Sequence, residues 1–349
     1  MNPASIQLKN KKNGKRILFA SMPAEGHFNP LTSVAVHLQQ LGFEVRWYAS
    51  ETYAGKLEKL GIPHYPFQRA MEITGSNIDA LLPEREKIKS QIKKLNFDLV
   101  NFFVLRAPEY FEDIRSIYQE FPFDLMIADS AFTGTIFVKD VLKVPVISLG
   151  IIPLVETSKD LAPAMLGITP SYSWLGRQKQ ALLRLLADKF LFGHAARVAR
   201  KIMDEYGVSW EGSNIFDLVV KKSSLFLQSG TPSFEYRRSD LGHNIRFIGP
   251  LLPYSAPQSR EQWFDARLNK YESIVLVTQG TVEKDIEKLL VPTLEACKDS
   301  DVLLVVTTGG SGTEELRKRY PQKNIIVEDF IPFDDIMPYA DLYISNGGY

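Results

Sequence analysis

The chain alternates short, almost wholly apolar runs with longer segments in which apolar residues return every three or four positions. The first pattern marks strands buried on both faces, the second marks helices laid against them. It predicts strands at Arg16–Ala20, Glu44–Ala49, His64–Pro66, Leu125–Ala128, Val146–Leu149, Ser224–Gln228 and Arg246–Ile248. Helices are predicted between them at Pro30–Leu41, Thr52–Leu60, Pro83–Phe103, Pro108–Phe121, Phe132–Leu142 and Gln178–Tyr206. In the first helix Leu31, Val34, Ala35 and Leu38 share one face, and Gly42 follows as a stop. Strand–helix alternation of this kind implies an α/β fold with a parallel sheet.

From Gly249 onward the periodicity lapses, and Pro250, Pro253 and Pro257 punctuate a segment that reads as a linker at 250–261. It separates a lobe at 1–249 from a second at 262–349. There the alternation restarts, with strands Ser273–Thr278, Val302–Thr307, Asn324–Val327 and Leu342–Ser345. Helices Val282–Cys297 and Thr313–Tyr320 and a short segment Pro332–Ala340 lie between them. The last strand runs into Asn346-Gly347-Gly348, a turn that should open a helix. The second lobe is shorter than the roughly 100–150 residues usual for a domain. It is therefore expected to be incomplete, and an active preparation is expected to contain a complementing polypeptide.

Composition changes this picture little. The 349 residues are 45% hydrophobic and 23% charged, and 41 basic residues balance 41 acidic ones. A neutral chain lacks the basic face that nucleic-acid phosphates require. The single cysteine, Cys297, excludes an intrachain disulfide and fits a reducing cytoplasm. The basic start (Lys9, Lys11, Lys12, Lys15, Arg16) has too short an apolar stretch behind it for a secretory signal. No apolar run approaches the ~20 residues of a membrane span. A soluble, cytoplasmic protein with no membrane partner is expected.

One loop stands out. Strand Arg16–Ala20 leads through the small-residue turn Ser21–Gly26 to His27, at the lip of a helix that Pro30 is suited to open. A strand–turn–helix unit presents ligands at the carboxyl edge of a parallel sheet, so His27 is either held for chemistry there or merely caps the helix.

Three segments carry a family resemblance: Met22-Pro-Ala-Glu-Gly-His-Phe-Asn-Pro30, Leu276-Val-Thr-Gln-Gly-Thr281, and Val327-Glu-Asp-Phe-Ile-Pro-Phe-Asp-Asp-Ile-Met-Pro338 followed by Ser345-Asn-Gly-Gly348. In this order they resemble the nucleotide-sugar-dependent glycosyltransferases with two facing Rossmann-like lobes (GT-B type), in particular the macrolide and plant natural-product transferases. The resemblance implies a UDP-sugar donor, a small hydrophobic acceptor, an inverting reaction and no cofactor or metal. Two positions depart from the family pattern: Asn346 stands where its signature has histidine, and Phe330 where a tryptophan often opens it.

Sugar transfer to an alcohol needs a base near the acceptor and support for a departing diphosphate. An imidazole titrating near ~6.5 suits the first role, and the resemblance gives it to His27. Asp129, just past strand Leu125–Ala128, emerges at the same sheet edge as the orienting acid. It also suits an N-cap of helix Phe132–Leu142, and the two roles are compatible. For the nucleotide-sugar the resemblance implies Gly280 and Thr281 at the start of helix Val282–Cys297, Gly309 and Gly310 before helix Thr313–Tyr320, and Asn346, Gly347 and Gly348. Phe330 would flank the base and Ile331 offer backbone groups to its edge. Apolar residues of the first lobe, among them Phe102, Phe103, Met165, Leu166 and Trp174, point to a phenolic, terpenoid, steroid or macrolide acceptor, with plain packing as the alternative. His27, His37, His64, His194 and His243 lack metal-ligand spacing. Two readings stay open beside the transferase: a two-lobed nucleotide-sugar epimerase, and a non-catalytic fragment or subunit that binds a hydrophobic ligand.

Overall fold

A computed structural model describes residues 14–74, 77–164, 166–212, 214–255, 262–280 and 283–347. Eleven strands lie among them: β1 Arg16–Ala20, β2 Glu44–Ala49, β3 His64–Pro66, β4 Leu125–Asp129, β5 Val146–Gly150, β6 Leu225–Gln228, β7 Ile245–Phe247, β8 Ile274–Thr278, β9 Leu303–Thr307, β10 Ile325–Glu328 and β11 Leu342–Ser345. Each matches its predicted strand to within one residue at either end.

The chain divides into two compact units, residues 1–255 and 256–349. The first holds a seven-stranded parallel sheet in the order β3-β2-β1-β4-β5-β6-β7. Both faces of that sheet are buried where the central strands β1, β4 and β5 are almost wholly apolar. Leu18, Ala20, Tyr48 and Met126 join one core with Tyr110, Phe111 and Ile114 of helix Arg106–Glu120. Their neighbours Ile17, Phe19, Val45 and Trp47 join another with Phe28, Leu31 and Ala35 of helix Glu25–Gln40. Phe28 stacks on Tyr53 with ring centroids 4.2 Å apart.

The second unit repeats the scheme in smaller form, in the order β10-β9-β8-β11, all parallel. Val275, Val277, Leu304 and Val306 face one core, and Ile274, Leu276, Leu303 and Val305 the other. Each sheet reverses its strand order once, between β1 and β4 and between β8 and β11. Such a reversal opens a crevice at the carboxyl ends of the strands.

Helix boundaries depart from the sequence expectation. Helix Glu25–Gln40 begins a turn before Pro30, so Pro30 lies inside it and His27 in its first turn. Helix Pro83–Phe103 is broken into Pro83–Arg85, Gln91–Asp98 and a π-helical turn Leu99–Val104. Further π-helical turns occupy Val138–Leu142 and Ala187–Leu191. Of the predicted linker 250–261, Leu251 and Tyr254 pack on the first unit, where Tyr254 N–H donates to Thr32 Oγ1 at 2.8 Å. Residues 256–261 lie outside the described ones.

Candidate active site

The crevice between β1 and β4 holds the histidine and the aspartate. Asp129 closes β4 and is fully buried, and its carboxylate accepts three hydrogen bonds. Oδ2 takes the Met22 N–H at 2.7 Å from the loop after β1, and Oδ1 takes the Ala131 N–H at 2.8 Å. The third donor is His27, whose Nδ1 lies 2.8 Å from Oδ1. A carboxylate only accepts, so Nδ1 carries the proton and Nε2 is the ring nitrogen free to take another. Burial alone would lower the His27 pKa. The Asp129 charge and hydrogen bond outweigh that and hold it above the usual 6.5.

The loop is fixed from several sides. Trp47 Nε1–H donates to Ser21 Oγ at 3.2 Å, and Tyr110 O–H points to the Met22 sulfur at 3.7 Å. The His27 and Phe28 amides close onto the Ala24 carbonyl at 2.9 and 3.0 Å, starting the helix without a side-chain cap. His27 thus rides on a rigid first turn, with its side chain 23% exposed. Asp129 does not cap a helix: the following helix starts at Thr135, with Gly134 as its N-cap and no side-chain cap bond, so the Asp129 bond to Ala131 N–H is a local turn, and its carbonyl accepts from Phe132 N–H at 3.1 Å.

In the second unit the three glycine turns share a motif that sequence inspection missed. A Thr or Ser at the end of the strand, or just past it, is followed by any residue and a glycine: Thr278-Gln-Gly280, Thr308-Gly-Gly310, Ser345-Asn-Gly347. In each, the terminal hydroxyl accepts the glycine N–H, at 3.3, 3.2 and 3.2 Å. Each glycine takes the left-handed backbone, with φ of 75, 86 and 71°, which most side chains resist. Thr308 also pairs with Thr313 Oγ1 at 2.6 Å, and Thr313 donates to Asp329. A chain of hydroxyls therefore runs from the Gly310 amide to a carboxylate.

One expectation for these turns needs correction. Gly280 does not open a helix: the following helix is Leu290–Cys297, not Val282–Cys297. Short side-chain bonds hold residues 283–287 in turns instead, Glu283 Oε1 accepting Asp285 N–H at 3.0 Å and Asp285 Oδ1 accepting Glu287 N–H at 3.1 Å. Asn346 does not leave its whole amide for a ligand, because Nδ2 donates to the Gln279 carbonyl at 2.6 Å and ties the β8 and β11 turns together. Gly309 and Gly310 do precede a helix, Thr313–Arg319. The Gly309 N–H, however, is taken by the Asp329 carbonyl at 2.9 Å. Phe330 is two-thirds exposed beside Gly310, while the Ile331 side chain is buried in the core. Thr281 and Gly348 lie outside the described residues.

The expected acceptor residues are scattered. Phe102 and Phe103 stand next to each other on the π-helical turn, ring centroids 6.3 Å apart, and Phe103 leans on the core. Thr133 Oγ1 donates to the Phe103 carbonyl at 2.8 Å, which ties that turn to the loop after Asp129. Leu166 is 38% exposed, and Trp174 projects into solvent at 72%. Met165 lies outside the described residues. No group of three or more His, Cys, Asp or Glu placed to hold a metal occurs among the described residues, and no helix there is long and apolar enough to cross a membrane.

No family model matches the chain. Among curated proteins it is similar to a 4'-demethylrebeccamycin synthase from Lentzea aerocolonigenes, 32% identical over 336 residues that span 96% of this chain and 79% of that protein. UDP-glucosyltransferase 1 of Beauveria bassiana (strain ARSEF 2860) is 28% identical across 99% of this chain and 78% of its own length. Among solved structures, the glycosyltransferase of kitacinnamycin superposes with a TM-score of 0.69 at 18% identity, covering 96% of this chain and 76% of that one.

Proposed function

The chain belongs to the UDP-glycosyltransferases of the GT-B class, and we propose that it moves a sugar, glucose by preference, from a UDP-sugar to a hydroxyl of a hydrophobic natural product. A curated relative that is a UDP-glucosyltransferase supports the sugar, and one that is a 4'-demethylrebeccamycin synthase supports the acceptor class. The observation that carries the mechanism is the His27–Asp129 pair at the strand-order reversal. His27 Nε2 takes the acceptor's hydroxyl proton as its oxygen attacks the anomeric carbon. The bond from that carbon to the diphosphate breaks on the opposite face, UDP departs with the electron pair, and the configuration inverts. Asp129 is the positioning residue: it fixes the imidazole tautomer and balances the positive charge that forms.

We assign the UDP moiety to the three Ser/Thr-x-Gly turns, with Phe330 flanking the base and Ile331 offering its backbone. Stabilisation of the leaving group then rests on amides and hydroxyls, and turnover is expected to persist in chelator. Phe102, Phe103 and Leu166 are assigned to the acceptor's apolar skeleton.

The test is turnover of UDP-glucose with a panel of phenolic and terpenoid alcohols, with product configuration read by NMR. His27→Ala should lower kcat/KM by about 10²–10⁴-fold, and the product should have the configuration opposite to the donor. Undiminished transfer by the variant, or isomerised UDP-sugar formed without an acceptor, would reject this assignment.

A further inference from the structure

Helix Trp174–Leu186, continued by the π-helical turn Ala187–Leu191, turns a row of large apolar residues to solvent. The side turned to the protein joins the core through buried Ala187 and Leu191 and is otherwise held by polar contacts. Buried Gln180 accepts the Ser171 N–H at 2.6 Å and donates to the Asp160 carbonyl at 3.0 Å. Arg184 donates to the Leu161 carbonyl, and Arg177 lies 3.6 Å from Asp160. The side turned to solvent carries the large apolar residues: Trp174, Leu175, Leu182, Leu185, Leu186 and Phe190, from 44 to 72% exposed. At 100° per residue they fall within one sector about 160° wide. The other residues in that sector are Gln178, Lys179 and Lys189, so it holds two cations and no acid.

A contiguous exposed apolar face of this kind marks a surface awaiting an occupant. Its charge selects which. Trp, Leu and Phe on one face suit the acyl boundary of a bilayer, and lysines within that face can extend their stems along it and raise their charge to anionic headgroups. There the apolar residues enter the acyl boundary and the lysines meet headgroup phosphates. We propose that this helix docks the enzyme on an anionic lipid surface. The reading stands on the helix alone and does not depend on the identity of the acceptor. A surface helix of about 25 Å needs no membrane-spanning apolar run.

The test is co-sedimentation of the full chain with vesicles of phosphatidylcholine containing about 30 mol % phosphatidylserine, against phosphatidylcholine alone. Binding to the anionic vesicles should be at least about tenfold stronger and should weaken with added salt. Leu182→Glu with Leu186→Glu should abolish it. Lys179→Gln and Lys189→Gln should each weaken it about fivefold. All these side chains are exposed, so circular dichroism and Tm should stay at wild-type values. Equal binding to both vesicles, none to either, or binding unchanged in the leucine variant would overturn the proposal. So would self-association of the free chain that the leucine variant abolishes, since the occupant would then be a second copy.

Discussion

His27 and Asp129 form a pair whose two jobs have opposite pH requirements. Because the folded-state pKa of His27 lies above 6.5, the charged pair stabilises the fold most fully below that value. The contribution is lost as pH rises through the folded pKa. A base must be neutral, so transfer should turn on across that same rise. The acid limb of kcat/KM is therefore expected to have its midpoint above 6.5. Asp129→Asn removes the charge that lifts it, so the midpoint should move down, with kcat/KM lower by about 10²-fold. A midpoint unmoved in that variant would mean that another group titrates. Asp129→Ala should also destabilise the fold, because it orphans the Met22 and Ala131 amides, at about 1–3 kcal/mol for each that is buried. Asparagine retains an acceptor and should lose less, a difference that thermal unfolding of the two variants would resolve.

At the scale of elements, the Ser/Thr-x-Gly turns invite a direct test of the donor assignment. Thr308→Val keeps the side-chain shape but deletes the oxygen that accepts the Gly310 N–H and pairs with Thr313. A net hydrogen bond of about 1 kcal/mol corresponds to a rise in donor KM of about fivefold, with acceptor KM unchanged. Equal shifts in both constants would place the turn outside the nucleotide site. The same elements show what the sequence disclosed. The central strands are legible because burial on both faces writes a nearly continuous apolar run, and the end of β4 then places Asp129 beside the β1 loop. Helices were less so. Pro30 looked like a first-turn residue, yet the Ala24 carbonyl starts the helix earlier and carries His27 into it. The π-helical turns at Leu99, Val138 and Ala187 shift the apolar period only locally, which leaves no readable signature. Between Glu283 and Glu287, side-chain bonds to nearby amides displaced a helix that the composition favours. The Ser/Thr-x-Gly repeat was written in the sequence; attention to the glycines alone concealed the hydroxyl two positions before each.

For the whole molecule, the first unit has the attributes of an independent folding domain. It contains seven parallel strands, buried cores on both sheet faces and the His27–Asp129 pair with all its hydrogen-bond partners. Its 255 residues lie in the range where a single chain buries roughly 70–75% of its unfolded surface. Residues 1–255 expressed alone should therefore unfold in one cooperative transition. They should also retain the elevated His27 pKa, readable as the His27 imidazole resonance titrating above 6.5 by NMR. Since the proposed UDP turns are all in residues 256–349, this fragment should take up a hydrophobic alcohol without measurable affinity for UDP. UDP binding by the fragment would move the nucleotide site into the first unit, and an imidazole titrating at its ordinary value would show that the pair needs the rest of the chain to form.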